Sequence, residues 1–241
     1  MTQPHIIKTF FDKNLNYPDD SFVIRIRKEV IAEFLNGKKF KNVLDIACGN
    51  GEISIQFLNG HNRLTLFDLS ENMLQRAMNR VPKHYINNVT AICGNFEELD
   101  LPDQKYDLVI CTGLLAHVKD TSFVLEKMSR LVENGGYLIL QNTNAVHFYS
   151  AIIRFYRSMV RNFSYRNYTM NALSAKDLQE ALNRYGFQLI NSYHSITSFL
   201  FLGHFISNKK KFAFVKKVFG SVYKNLRRPL GNDLIYCFKK N

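Results

Sequence analysis

Two acids and two glycines in a short span could hold a nucleotide. The segment Asp45-Ile46-Ala47-Cys48-Gly49-Asn50-Gly51 runs from an acid into a glycine turn, and Asp68 lies 23 positions beyond Asp45. Glycine admits positive φ and lets the backbone approach a ligand closely. A carboxylate about 20 residues past such a turn suits two neighbouring ribose hydroxyls. The pattern is not a dinucleotide fingerprint, because Ser54 stands where G-x-G-x-x-G needs its third glycine. No Gly-Lys-Ser/Thr follows, so it is not a P-loop. For the glycines alone, a tight strand–helix turn without a ligand is the alternative. For Asp68 alone, it is a helix cap.

These residues need strands to carry them. Val43 to Ile46 is a short apolar run ending in the turn, and the spacing predicts a helix over Glu52 to Leu58, with free N–H groups at its start. Arg63 to Asp68 reads as a second strand. Ser70 then caps a helix through Met73, Ala77 and Arg80, with Glu71 at its positive end. Val89 to Cys93, Tyr106 to Cys111 and Tyr137 to Gln141 read as further strands. A helix over Thr121 to Leu131 and a turn at Asn134-Gly135-Gly136 join the last two. Upstream, Phe22, Ile26, Val30, Ile31 and Phe34 recur at helical spacing until Gly37. Downstream, Ser174 to Tyr185 reads as a helix, and Phe187 to Ser192 and Leu234 to Lys239 as sixth and seventh strands. Apolar strands alternating with helices predict an α/β fold: a Rossmann-like, seven-stranded, mostly parallel sheet flanked by helices.

The segments VLDIACGNG, FDLSENML, CGNFEEL, YDLVICTGLLAHVKD and LVENGGYLIL occur in that order. Together they resemble the ordered motifs of class I S-adenosylmethionine (SAM)-dependent methyltransferases. The resemblance is to the small-molecule group that includes ubiquinone/menaquinone-pathway and sugar methyltransferases. It covers about Val43 to Leu140 and implies SAM as cofactor, with no metal. Asp45 would order the turn and reach the methionine amino group. Ala47 and Cys48 would lie in the turn, and Gly49 and Gly51 would bring the backbone to the methionine and ribose. Asp68 would hold the ribose hydroxyls, Leu69 or Met73 would pack on adenine, and Asn95 and Phe96 would sit at the adenine edge. The family usually has Asp where Asn95 stands; Asn still offers an acceptor but adds competing donors. Cys111 would line the sulfonium end. The implied division is one domain: a helical lid over 1–40, a SAM-binding core over 41–143, an acceptor-site insert over 144–172, and C-terminal helices and strands with a basic tail over 173–241.

A sulfonium methyl is already electrophilic, so such a protein mainly aligns a nucleophile. A base is needed only where the nucleophile must lose a proton. His117, after the fourth strand, and His147, after the fifth, lie at the carboxyl edge and are the candidates; a capping or packing role is the alternative for His117. The insert is aromatic and basic and has no acid. Arg154, Arg157 and Arg161 would share one helical face, to grip an anionic acceptor or simply to face water. The expectation is O-methylation of a sugar or glycan precursor, small or carrier-linked. The alternatives are a quinone- or polyketide-type acceptor, or a non-catalytic SAM-fold binding module. Amino-group methylation of nucleic-acid bases is disfavoured, because Thr112-Gly113-Leu114-Leu115 lacks the Asn/Asp-Pro-Pro-aromatic turn typical of that chemistry.

Charge points the same way once it is located. The chain has 241 residues and a net charge of +12, but Ser207 to Asn241 holds ten bases against the single acid Asp233. Nine of the twelve charges therefore sit in one terminal segment, and nucleic-acid binding by the whole domain is not implied. There Val215, Val218, Phe219 and Val222 would share one helical face among lysines. That pattern suits either a helix packed on the sheet or peripheral contact with an anionic membrane. Cys48, Cys93, Cys111 and Cys237 form no CxxC pair or zinc-spaced cluster. With no signal-like apolar run at the N-terminus, the expectation is a cytoplasmic protein.

Overall fold

The computed structural model describes residues 21–98, 104–144, 146–160, 173–199, 205–225 and 227–241. Seven strands form one sheet in the order β3-β2-β1-β4-β5-β7-β6. They are β1 (Asn42–Ile46), β2 (Arg63–Asp68), β3 (Val89–Cys93), β4 (Tyr106–Thr112), β5 (Val132–Thr143), β6 (Phe187–Ser195) and β7 (Asp233–Lys240). The β1–β2, β1–β4, β2–β3 and β4–β5 pairs are parallel. Only β7 runs against its neighbours, between β5 and β6.

Among the described residues six helices flank the sheet: α1 (Phe22–Phe34), α2 (Glu71–Arg80), α3 (Thr121–Leu131), α4 (Phe148–Val160), α5 (Ala175–Arg184) and α6 (Asn208–Phe219). Alternate side chains of each strand point to opposite faces. Val43, Leu108, Ile110, Ile139 and Ile235 join α1, α2 and α6 in one apolar layer. Leu44, Ile46, Val109, Leu138 and Leu140 join α3 and α5 in the other. The central strands are buried on both sides, which is why they read as near-continuous apolar runs. Caps hold where expected: Ser70 Oγ accepts the Met73 N–H and Ser174 Oγ the Asp177 N–H.

Two expectations are corrected. Residues 52–58 do not form a helix; turns lead into a single 3-10 turn at Ile55–Phe57. The apolar residues Ile53, Ile55 and Phe57 alternate instead of recurring at three and four, so no helical stripe exists to bury. Asn134-Gly135-Gly136 is no separate turn but lies inside β5, where the pairing with β4 shifts register between Tyr106 and Leu108. Of the two readings of the basic tail, the packed helix is the one its apolar face takes: Val215, Phe219 and Val222 are buried in the core. Of the lid expected over 1–40, residues 22–34 form α1; residues 1–20 lie outside the described part.

Candidate functional site

The strands β1, β4 and β5 end at one edge of the sheet, and the loops beyond them build the site. After β1 the chain reverses through Ala47, Gly49 and Gly51, with φ of 57°, 54° and 71°. Left-handed backbone favours glycine, so Ala47 holds a strained conformation, of the kind that gathers at functional sites. The two glycines serve different ends. A Cβ on Gly51 would lie 2.7 Å from Ile55 Cδ1 and 3.0 Å from the Ala77 Cβ, so this glycine lets the turn close onto α2. A Cβ on Gly49 would meet nothing within 4 Å: the backbone there faces open space.

Asp68 ties the next strand to this turn. Its Oδ2 accepts the Gly49 N–H at 2.8 Å and its Oδ1 the Ser70 N–H at 2.9 Å. Asp68 therefore braces the approach to α2 and lies against the glycine turn. Asp45 is 1% exposed, and its Oδ2 has no hydrogen-bond partner. Burial, opposed by the nearby Ser54 hydroxyl and reinforced by the Asp68 charge, pushes its carboxyl up to about 7.

Two further loops complete the wall. Gly94 N–H donates to the Asp68 carbonyl at 3.0 Å, and Asn95 Oδ1 accepts the Glu97 N–H at 3.2 Å. Glu97 Oε1 in turn accepts the Lys119 and Asp120 N–H groups at 2.9 and 3.2 Å. The loop after β3 thereby anchors the loop after β4.

Residues 37–154 match the family described as "Methyltransferase domain". The chain carries a methyltransferase domain of the class I fold. It is 34% identical over 124 residues to the demethylmenaquinone methyltransferase of Listeria welshimeri, covering 50% of this chain and 52% of that protein. It is 30% identical over 106 residues to the ubiquinone biosynthesis O-methyltransferase of Coxiella burnetii, covering 44% and 45%. The chain thus spans about half the length of the curated relatives it matches. Among solved structures, a SAM-dependent methyltransferase of Thermotoga maritima, a possible histamine N-methyltransferase, superposes with a TM-score of 0.65 at 16% identity over 100% of both chains. The magnesium protoporphyrin IX methyltransferase of Synechocystis with bound S-adenosylhomocysteine superposes with a TM-score of 0.64 at 16% identity, again over 100% of both. At such identity the likeness carries the fold.

Within the methyltransferase domain, Leu69 is half-buried and keeps surface beside Asp68. Met73, Phe96 and Cys111 are buried, and Phe96 stands edge-on to Phe67 at 5.7 Å. Phe96 and Cys111 belong to the apolar layer that packs on α3 and α5. Burial also pushes the Cys48 and Cys111 thiols well up, so neither is a thiolate nucleophile at neutral pH.

The histidines divide. His117 lies in the turn after β4, and burial pushes its imidazole down, which leaves it neutral at pH 7 as a base must be. His147 is corrected to a structural role. Its Nδ1 accepts the Tyr149 N–H at 3.1 Å, and its Nε2 lies 2.7 Å from the Pro229 carbonyl. Both ring nitrogens are spent on backbone groups, leaving none to take a proton. Arg154 and Arg157 lie on α4, but the described structure does not extend to their side chains; Arg161 lies outside the described residues.

One cluster has no counterpart in the motif reading. Arg27 of α1 pairs with the buried Asp233 at 3.1 Å, and Gln141 Nε2 donates to the same carboxylate oxygen at 2.5 Å. These residues join α1, the end of β5 and the start of β7 at the edge that carries the site. The available signal was that Asp233 is the lone acid of the basic tail. Among the described residues no group of His, Cys, Asp and Glu could hold a metal.

Proposed function

We propose that this domain binds SAM and transfers its methyl group to a small-molecule acceptor. The observation that carries this is a buried Asp45 oxygen without a partner, next to a turn whose backbone opens at Gly49. A buried carboxylate is costly unless something cationic meets it. SAM offers an ammonium, a sulfonium and a ribose diol, so the donor set fits. Asp45 Oδ2 would accept from the ammonium. Asp68, held against the turn by the Gly49 and Ser70 N–H groups, would accept from the ribose hydroxyls. Leu69 would lie under adenine, with Asn95 at its edge.

When bound, SAM supplies an electrophilic methyl group. The chain's own task is to hold the acceptor in line, exclude water and, for a hydroxyl acceptor, receive its proton. His117 is the group proposed for that proton. Cys48 and Cys111 stay uncharged and do not compete for the methyl.

Among acceptors, a quinone-type ring is favoured over the sugar or glycan precursor expected from the sequence. The relatives named above are quinone-pathway enzymes, and the described acceptor edge presents Val146 and Phe148 to solvent. The sugar reading rested on Arg154, Arg157 and Arg161, whose side chains lie outside the described structure. The intact turn supports catalysis over a non-catalytic binding module.

The test is calorimetric titration with SAM, followed by mass spectrometry of candidate quinol and sugar acceptors incubated with protein and SAM. Saturable binding and a gain of one methyl on a quinol are expected. No measurable SAM binding would end this reading.

A further inference from the structure

The acceptor edge of the sheet is rimmed by apolar side chains that no described element covers. Because β6 and β5 both run against β7, the segments after β5, after β6 and before β7 meet at that edge. Three contacts stitch them together: His147 Nε2 to the Pro229 carbonyl at 2.7 Å, Tyr149 OH to the Ser198 carbonyl at 2.7 Å, and Asn144 N–H to the Asn232 carbonyl at 2.8 Å. On this rim Val146 is 78% exposed, Phe148 54% and Leu230 42%. Helix α6 is drawn to the same end by Phe199, whose ring stands edge-on to Phe214 at 5.5 Å, and by Tyr193 OH donating to the Gly220 carbonyl at 3.0 Å. Its outer face shows Lys210, Phe214 (49% exposed) and Lys217, followed by Tyr223 (78% exposed) and Lys224.

The charge on this rim is not neutralised. Lys216 turns inward to Glu29 and Glu33, at 3.3 Å each. Lys209, Lys210, Lys217 and Lys224 are exposed and form no ion pair among the described residues. No acid occurs from Ser207 to Asn232. Aromatic and aliphatic tips set among lysines are the composition of a surface that sits in the headgroup layer of an anionic bilayer. Single-stranded nucleic acid would also meet lysine and aromatic rings. It would gain little from Val146 and Leu230, whereas aliphatic tips gain by insertion into lipid.

We infer that this rim docks on an anionic membrane surface, with the acceptor edge of the sheet turned toward the lipid. The apolar side chains enter the interface and the lysines meet the phosphates. The docking surface is not the amphipathic face legible in the sequence, since Val215, Phe219 and Val222 are core residues. It lies on the opposite side of α6 and on the start of α4.

The test is flotation of the full chain with vesicles of phosphatidylcholine alone, or mixed in equal parts with phosphatidylglycerol. Binding to the anionic vesicles, weak binding to the neutral ones and release by high salt are expected. Lys209→Glu/Lys210→Glu/Lys217→Glu should cut the bound fraction on the order of a hundredfold, at about fivefold per lysine lost. Val146→Ser/Tyr223→Ser should weaken binding without changing the salt response. Melting temperature and SAM affinity report whether each variant is folded, and neither should move. Equal binding to neutral vesicles, no flotation, or full flotation by the folded triple variant would overturn the inference. So would retention on a single-stranded oligonucleotide by a protein that ignores vesicles.

Discussion

Asp68 Oδ2 accepts the Gly49 N–H at 2.8 Å, so the carboxylate that ends β2 also fixes the turn that ends β1. One side chain sets the geometry of both halves of the proposed SAM cradle. Asp68→Asn keeps the shape but turns a donor toward one of the two backbone N–H groups. It should lose about 1–3 kcal/mol of stability, the usual cost of an unsatisfied buried group. SAM affinity should drop more than tenfold. Calorimetry and chemical denaturation would read both, and unchanged affinity would separate Asp68 from the ribose.

The pH dependence of binding follows from Asp45. Burial raises its carboxyl from the ordinary 3.8 to about 7. Between those values the folded protein holds a proton that the unfolded chain has released. Stability from this group is therefore present at low pH and is lost as pH rises through that window. A cationic ligand reverses the preference, because it needs the ionised carboxylate. SAM should bind about tenfold more tightly at pH 8 than at pH 6, with proton release on binding. Titrations in buffers of differing ionisation enthalpy would show it. Asp45→Asn should flatten the profile; a wild-type affinity that ignores pH would refute the link.

The two turn glycines should fail differently. Gly51→Ala combines a left-handed φ with a Cβ pressed on Ile55 and Ala77, and should cost about 2–4 kcal/mol of stability. Gly49→Ala carries only the φ penalty, about 1–2 kcal/mol, but its methyl enters the open space proposed for SAM. It should therefore lose affinity out of proportion to stability. Similar losses of affinity per unit of stability in both variants would contradict the assignment of that space.

Arg27 and Asp233 form a mostly buried pair, with side chains 14% and 1% exposed. Removing one partner strands the other and unseats Gln141. Asp233→Ala should cost about 3–5 kcal/mol. Arg27→Met with Asp233→Leu should recover much of that, since an apolar pair removes both charges together. Urea unfolding of the single and double variants makes the comparison.

His117→Ala should lower turnover at least tenfold while SAM affinity stays constant, because the imidazole is proposed to act on the acceptor's proton. Its activity should be restored in part at high pH, where the acceptor hydroxyl ionises unaided. Unchanged turnover would remove His117 from the chemistry.

The strands were legible because burial on both faces makes them apolar without interruption. β2 and β3 agree with their predicted limits, and the rest differ by a few residues at their ends, apart from β5, which starts earlier. The site's acids were legible because Asp45 and Asp68 each end such a run. What escaped depends on contacts between distant segments. Arg27 and Asp233 are separated by 206 positions, and no periodicity links them. His147 looked catalytic from its place at the sheet edge; only the Pro229 carbonyl and the Tyr149 N–H reveal that its nitrogens are taken. In α6 the spacing identified the apolar face, but only packing against α1 and β6 decided what that face meets.

The insertion of β7 between β5 and β6 bears on biosynthesis. Until residues 233–240 leave the ribosome, β5 and β6 have no shared neighbour, and the Arg27 guanidinium waits without its anion. The nascent chain must carry an open apolar sheet edge through the synthesis of everything before them, a hazard for aggregation. A chain stopped at residue 232 should partition into the insoluble fraction on expression to a greater extent than the full chain. The sheet is completed by the last of its strands in sequence order, β7, which enters between two strands made before it.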